Sequence, residues 1–161
     1  MENQAQPPAP PPLSPYLTVD GAAAAIDFYK RAFGAEVVNQ QPMPNTNKLM
    51  HVAMRFPNGG MLMFSDDFPE MSGGKSRSPK ALGGTPVTLH LDLPDVDAVW
   101  QQAVAAGAEV TMPLADQFWG DRYGKVRDPF GHEWSLATRK AAPSAAQMDA
   151  AAKEMFGAGK K

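Results

Sequence analysis

Apolar and polar residues alternate over several short stretches of the chain, with the period of two that marks a strand with one buried face. Val87, Leu89, Leu91 and Leu93 stand against Thr88, His90 and Asp92, and Val52, Met54 and Phe56 stand against His51, Ala53 and Arg55. Elsewhere the period becomes that of a helix. After a short strand over Tyr16 to Val19, Ile26, Tyr29 and Phe33 share one face of a helix predicted over 22–33, with Asp20 as its cap and Gly34 as its stop.

The pattern then repeats. A strand over 87–93 leads through Asp95, a cap, into a helix carrying Val96, Val99 and Ala103, and Gly107 ends it. Gly34-Ala35-Glu36-Val37 recurs 73 residues later as Gly107-Ala108-Glu109-Val110, an offset that signals a duplicated unit. Each helix is followed by three strand candidates. These are 35–40, 51–56 and 60–65 in the first half, with a turn at Pro57-Asn58-Gly59, and 109–112, 122–127 and 133–137 in the second, with a turn at Asp128 to Gly131.

The expected fold is therefore α+β, with two tandem βαβββ modules over about 14–66 and 86–139. Their strands form a cup-shaped mixed sheet with the helices on its outer face. Residues 66–85, rich in Ser, Gly, Lys and Pro, read as the linker between modules, and the proline-rich residues 1–13 as a disordered tail. Residues 141–161 form a C-terminal tail in which Ser144 can cap a helix with Met148, Met155 and Phe156 along one edge.

Composition narrows the function. A chain of 161 residues with 43% apolar content supports one core, placed over 14–140. Fifteen basic against 17 acidic residues leave a net charge of −2, which argues against nucleic acid as a partner. The apolar runs are too short to span a bilayer, so no membrane partner and a cytoplasmic location are expected. The absence of cysteine removes disulfides, thiolate metal sites and cysteine nucleophiles.

Alternation also sorts the candidate site. Opposite the helix-facing set lie Tyr16 and Thr18, Met61, Met63 and Ser65, and Glu133 and Ser135. A concave surface of such mixed character suits a small organic ligand. The candidate ligand-binding residues are Tyr16, His51, Arg55, Met61, Met63, Thr88, Phe118, Trp119, Arg122 and Ser135, and the candidate catalytic residues are His90 and Glu133. His90 suits a metal ligand, a proton acceptor or a hydrogen-bonding group. Glu133 suits a carboxylate base, or a rim ion pair with Arg55 or Arg122. Phe118 and Trp119 read equally as an aromatic lid and as packing beneath their loop. His132 should point away from the cup, and Asp128 and Gly131 are explained by turn geometry.

Three stretches, YLTVDGAAAAIDFYKRAFGAEV, LGGTPVTLHLDLPDVDAVWQQAVAAGAEV and PLADQFWGDRYGKVRDPFGHEWSLAT, resemble the vicinal oxygen chelate superfamily of glyoxalases, bleomycin-resistance proteins and dioxygenases, and its PhnB-like branch in particular. The resemblance covers 14–139. It implies two βαβββ modules forming a cup, homodimers, and ligands held inside. Metal-dependent members carry His, Gln or Glu on the first and last strand of each module, at positions that fall near Ser14, Met63, Thr88 and Ser135 here. Hydroxyls and a thioether do not replace imidazole and carboxylate, so the resemblance implies a binding protein without the usual chelate or other cofactor. Two alternatives stay open: a metal-dependent lyase or dioxygenase whose site is displaced onto His51, His90 and Glu133, and an interaction module that uses the proline-rich tail.

Overall fold

The computed structural model of the chain describes residues 11–157, so residues 1–10 of the proline-rich tail lie outside the described residues. The first module runs β1 (Tyr16–Val19), α1 (Ala22–Phe33), β2 (Glu36–Pro42), β3 (Leu49–Arg55) and β4 (Met61–Asp66). The connection that sequence reads as a plain linker carries a 3₁₀ turn (Pro69–Met71) and a one-turn helix, α2 (Pro79–Leu82). The second module runs β5 (Thr88–Asp92), α3 (Val96–Ala106), β6 (Glu109–Asp116), β7 (Asp121–Arg127) and β8 (Glu133–Arg139), followed by α4 (Ala145–Gly157).

The architecture is the expected α+β arrangement of two βαβββ modules. Its strands form two open four-stranded mixed sheets, ordered β1-β4-β3-β2 and β5-β8-β7-β6, rather than one curled sheet. In each, the first strand is parallel to the last and the remaining pairs are antiparallel. β2 and β6 extend past their predicted ends. Register shifts at Val37/Asn39 and Gln41/Pro42, and at Val110/Met112 and Met112/Ala115, break the strict alternation on which the shorter prediction rested.

Helix α1 has the predicted limits but not the predicted cap. Gly21, with φ of 102°, takes the cap position, and Asp66 at the end of β4 accepts from Gly21 N–H (3.1 Å), Ala22 N–H (2.9 Å) and Leu49 N–H (2.7 Å). The left-handed turn at Gly21 brings the helix start over β4, so a buried carboxylate from a distant strand replaces exposed Asp20. The second module keeps its local cap, Asp95, which accepts from Ala98 N–H at 3.1 Å. There Thr138, the counterpart of Asp66, accepts from Val96 N–H (2.8 Å) and donates to Leu93 O (2.7 Å).

The core crosses the boundary between modules. Phe28, Tyr29 and Phe33 of α1 meet Phe64 and Phe56 of their own module and Phe130 and Trp134 of the other, with Phe33 and Trp134 ring centres 4.8 Å apart. Asp128 joins the halves: it accepts from Tyr29 Oη (2.8 Å), Trp134 Nε1 (2.9 Å) and the N–H groups of Phe130 and His132 (both 2.9 Å). Two hydrogen bonds then cross in opposite directions. Asn58 Nδ2 donates to Asp92 O (3.0 Å), and His132 Nε2 donates to Thr18 O (2.9 Å), each from one module's last hairpin turn to the other's first strand.

Candidate functional site

The helices cover one face of each sheet and leave the other open. Strand register places Tyr16, Met63, Ala53 and Arg55 on the open face of the first sheet, and His90, Ser135, Lys125 and Arg127 at the corresponding places on the second. His51 and Tyr123 lie one step further along their strands. Each sheet therefore carries a His and a Tyr at equivalent positions with their identities exchanged. In the first, Tyr16 Oη and His51 Nδ1 are 3.1 Å apart and the rings 5.6 Å apart; in the second, the His90 and Tyr123 rings lie 6.2 Å apart and nearly parallel.

His90 is engaged at both nitrogens, with Ser135 Oγ 2.8 Å from Nδ1 and Asp92 Oδ1 3.3 Å from Nε2. Ser135 is only 3% exposed, so this line of groups offers no accessible hydroxyl nucleophile. Half-buried Trp119 packs on Tyr123 at 5.6 Å and donates to Asp121 Oδ2 at 3.1 Å. Phe118 stands between Trp119 and Phe156 of α4, at 5.1 and 6.3 Å, so the loop aromatics join the open face to the C-terminal helix.

One charged candidate, Arg122, sits elsewhere than sequence suggested, and another, Glu133, keeps its open face but has a different partner. Arg122 points to the helix side of its sheet, where its guanidinium holds Asp97 of α3 at 2.9 Å and Asp116 at 3.2 Å. It neighbours Tyr123, and alternation sends the two in opposite directions. The hydrogen bond from Arg122, ahead of their charge attraction, holds the Asp97 carboxyl below the usual carboxylate range. Glu133 pairs with Arg127, its directly opposite cross-strand neighbour, at 2.7 Å, and not with Arg55 or Arg122. It also accepts from Thr111 Oγ1 at 3.3 Å.

Where the modules meet there is a cleft of about 340 Å³. Phe56, Met61 and Leu62 line it from the first module, and Leu89, Leu91 and Trp134 from the second. Thr88 and His90 form its polar edge, and the segment entering β1 contributes Leu13. The structure thus brings three predicted residues, Met61, Thr88 and His90, together in one cavity. Tyr16, His51, Met63 and Arg55 occupy the adjoining open face, and Ser135 lies beneath His90. Leu62, Leu89, Leu91 and Trp134 were missed because alternation assigned them to the helix-facing core. β5 is an edge strand, so the apolar side chains beside its free edge also border the seam.

The fold recurs in known proteins. The model of the Glyoxalase/Bleomycin resistance protein/Dioxygenase superfamily matches residues 13–136. The chain belongs to that superfamily. An uncharacterised protein of Mycobacterium tuberculosis is 58% identical over 126 residues, covering 78% of this chain and 73% of the relative. The crystal structure of TioX from Micromonospora sp. ML1 is 29% identical, covers 79% of this chain and 97% of its own, and has a TM-score of 0.59. A PhnB protein from Bacillus cereus, 19% identical over 80% of this chain and 99% of its own, shares the fold with a TM-score of 0.58.

The metal of the superfamily's chelating members does not fit the groups present here. Met63, Thr88 and Ser135 supply a thioether and hydroxyls, and Ser14 Oγ donates to Pro11 O at 3.4 Å. Among the described residues no three His, Asp or Glu side chains are placed to share an ion. The displaced set is not brought together either: His51 turns to Tyr16, His90 to Ser135 and Asp92, and Glu133 to Arg127. No helix among the described residues is long and apolar enough to cross a membrane.

Proposed function

We propose that this superfamily member binds a small, largely apolar organic molecule in the cleft between its two modules. The carrying observation is the cleft itself. Its volume of about 340 Å³ falls in the range of small-molecule sites, and its wall is apolar with a few polar groups at one edge. Met61, only 8% exposed, supplies a pliable wall that adapts to differently shaped ligands. Thr88 orients the ligand by hydrogen bonding, beside the His90 ring that Ser135 and Asp92 hold in place. The reading is of a binding protein rather than an enzyme, since His90 has partners on both ring nitrogens and the hydroxyl beside it is buried.

The same reading expects two copies to pair. Tyr16, on the open face, is 53% exposed, and a second copy closing over the open faces would cover it. Sedimentation equilibrium checks the pairing. Binding is tested by thermal shift with a panel of neutral and charged aromatic compounds, on the wild type and on Leu89→Arg, which fills the cleft from an edge strand. Compounds that raise the wild-type melting temperature should leave the variant unmoved. A panel that shifts neither protein, or both alike, contradicts the site.

A further inference from the structure

Arg55 and Arg127 hold the same place in the two modules. Each is the last residue of its third strand, and each faces a glutamate on one neighbouring strand, Glu36 or Glu109. On the other side Arg127 faces Glu133, whereas Arg55 faces Met61. The second module therefore neutralises its arginine within the protein, at 2.7 Å from Glu133 and 3.6 Å from Glu109. The Arg55 side chain, although half-buried, makes no hydrogen bond or ion pair among the described residues, Glu36 included.

We propose that Arg55 selects the ligand's charge: the cleft takes an apolar, preferably aromatic molecule that carries one anionic group, and Arg55 binds that group. This rests on the cleft reading given above. A guanidinium presents five N–H donors in a planar fork that matches a carboxylate or sulfonate, and one left partly desolvated without an acceptor is poised for an anion from outside. Its direct cross-strand neighbour Met61 lines the cleft, so the Arg55 side chain starts ~5 Å from the apolar wall, Cβ to Cβ, at the cleft's margin.

The test uses two fluorescent probes of one shape, 8-anilinonaphthalene-1-sulfonate and its uncharged analogue N-phenyl-1-naphthylamine, titrated against the full chain. The readout is the ratio of their affinities. Arg55→Met should weaken the sulfonate about tenfold, the scale of one charge-assisted contact, and leave the uncharged probe within about twofold. Arg127→Met should leave the ratio unchanged, which separates Arg55 from a general loss of positive charge. If Leu89→Arg abolishes binding of the uncharged probe while Arg55→Met leaves the ratio unaltered, the charge selection is wrong and the cleft stands. If neither probe binds, or Leu89→Arg leaves binding of the uncharged probe intact, the cleft reading falls and this inference with it.

Discussion

The two modules share a chain path and differ in what they place at equivalent points. At the start of the last hairpin turn, Phe56 N–H bonds Gly60 O in the first module and Asp128 N–H bonds His132 O in the second, each at 2.9 Å. The first therefore contributes a ring to the core, and the second a carboxylate that collects donors from both halves. At the end of the last strand, Asp66 answers Thr138, each receiving the first N–H of its module's helix. On the open face, Arg55, whose side chain has no ion pair among the described residues, answers ion-paired Arg127. The two modules repeat one frame, and the residues that differ at matched positions separate what binds the halves together from what faces the open side.

The largest expected effect lies at Asp128. Asp128→Ala strips the acceptor from Tyr29 and Trp134, both buried, and from two backbone N–H groups, and should cost about 3–5 kcal/mol in urea denaturation. A loss below about 1 kcal/mol would show that the aromatic contacts and the Asn58 and His132 bonds hold the modules without it.

The caps come next. Asp66→Ala removes an acceptor for three N–H groups and should cost about 2–3 kcal/mol, against about 1 kcal/mol for Thr138→Val, where Asp95 still serves α3. Equal losses would erase the asymmetry between the helix starts.

A smaller effect is read from pH. Burial, and then the charge of Asp128, raise the Tyr29 hydroxyl well above its ordinary value of 10.0, so the folded state favours the neutral phenol. That contribution is complete below the unfolded value near 10 and is lost as pH climbs above it. Urea midpoints should fall with pH in that alkaline range in the wild type, and less steeply in Tyr29→Phe; matching slopes would contradict the assignment.

The limits of α1 and the cap and stop of α3 were legible in the sequence, because helices announce themselves through local periodicity and end residues. What escaped depends on distant neighbours. Asp66 reaches α1 from more than forty residues away, and nothing near Gly21 signals it. The partner of Glu133 follows from strand register, which places Arg127 opposite it. Arg122 was misplaced because its face was never set by alternation with Tyr123. In the candidate site the polar groups Thr88 and His90 were visible in the pattern, whereas the apolar wall was hidden: an edge strand's inward residues read as ordinary core until the seam beside them is seen.

The central claim is that the seam holds the ligand, and the most direct measurement is a ¹H–¹⁵N NMR titration with N-phenyl-1-naphthylamine. The account predicts that shifts concentrate at Met61, Leu62 and Thr88 to Leu91, and at the indole N–H of Trp134 alone among the three tryptophans. Shifts centred on Trp100 and α3, with Trp134 and β5 unmoved, would contradict it.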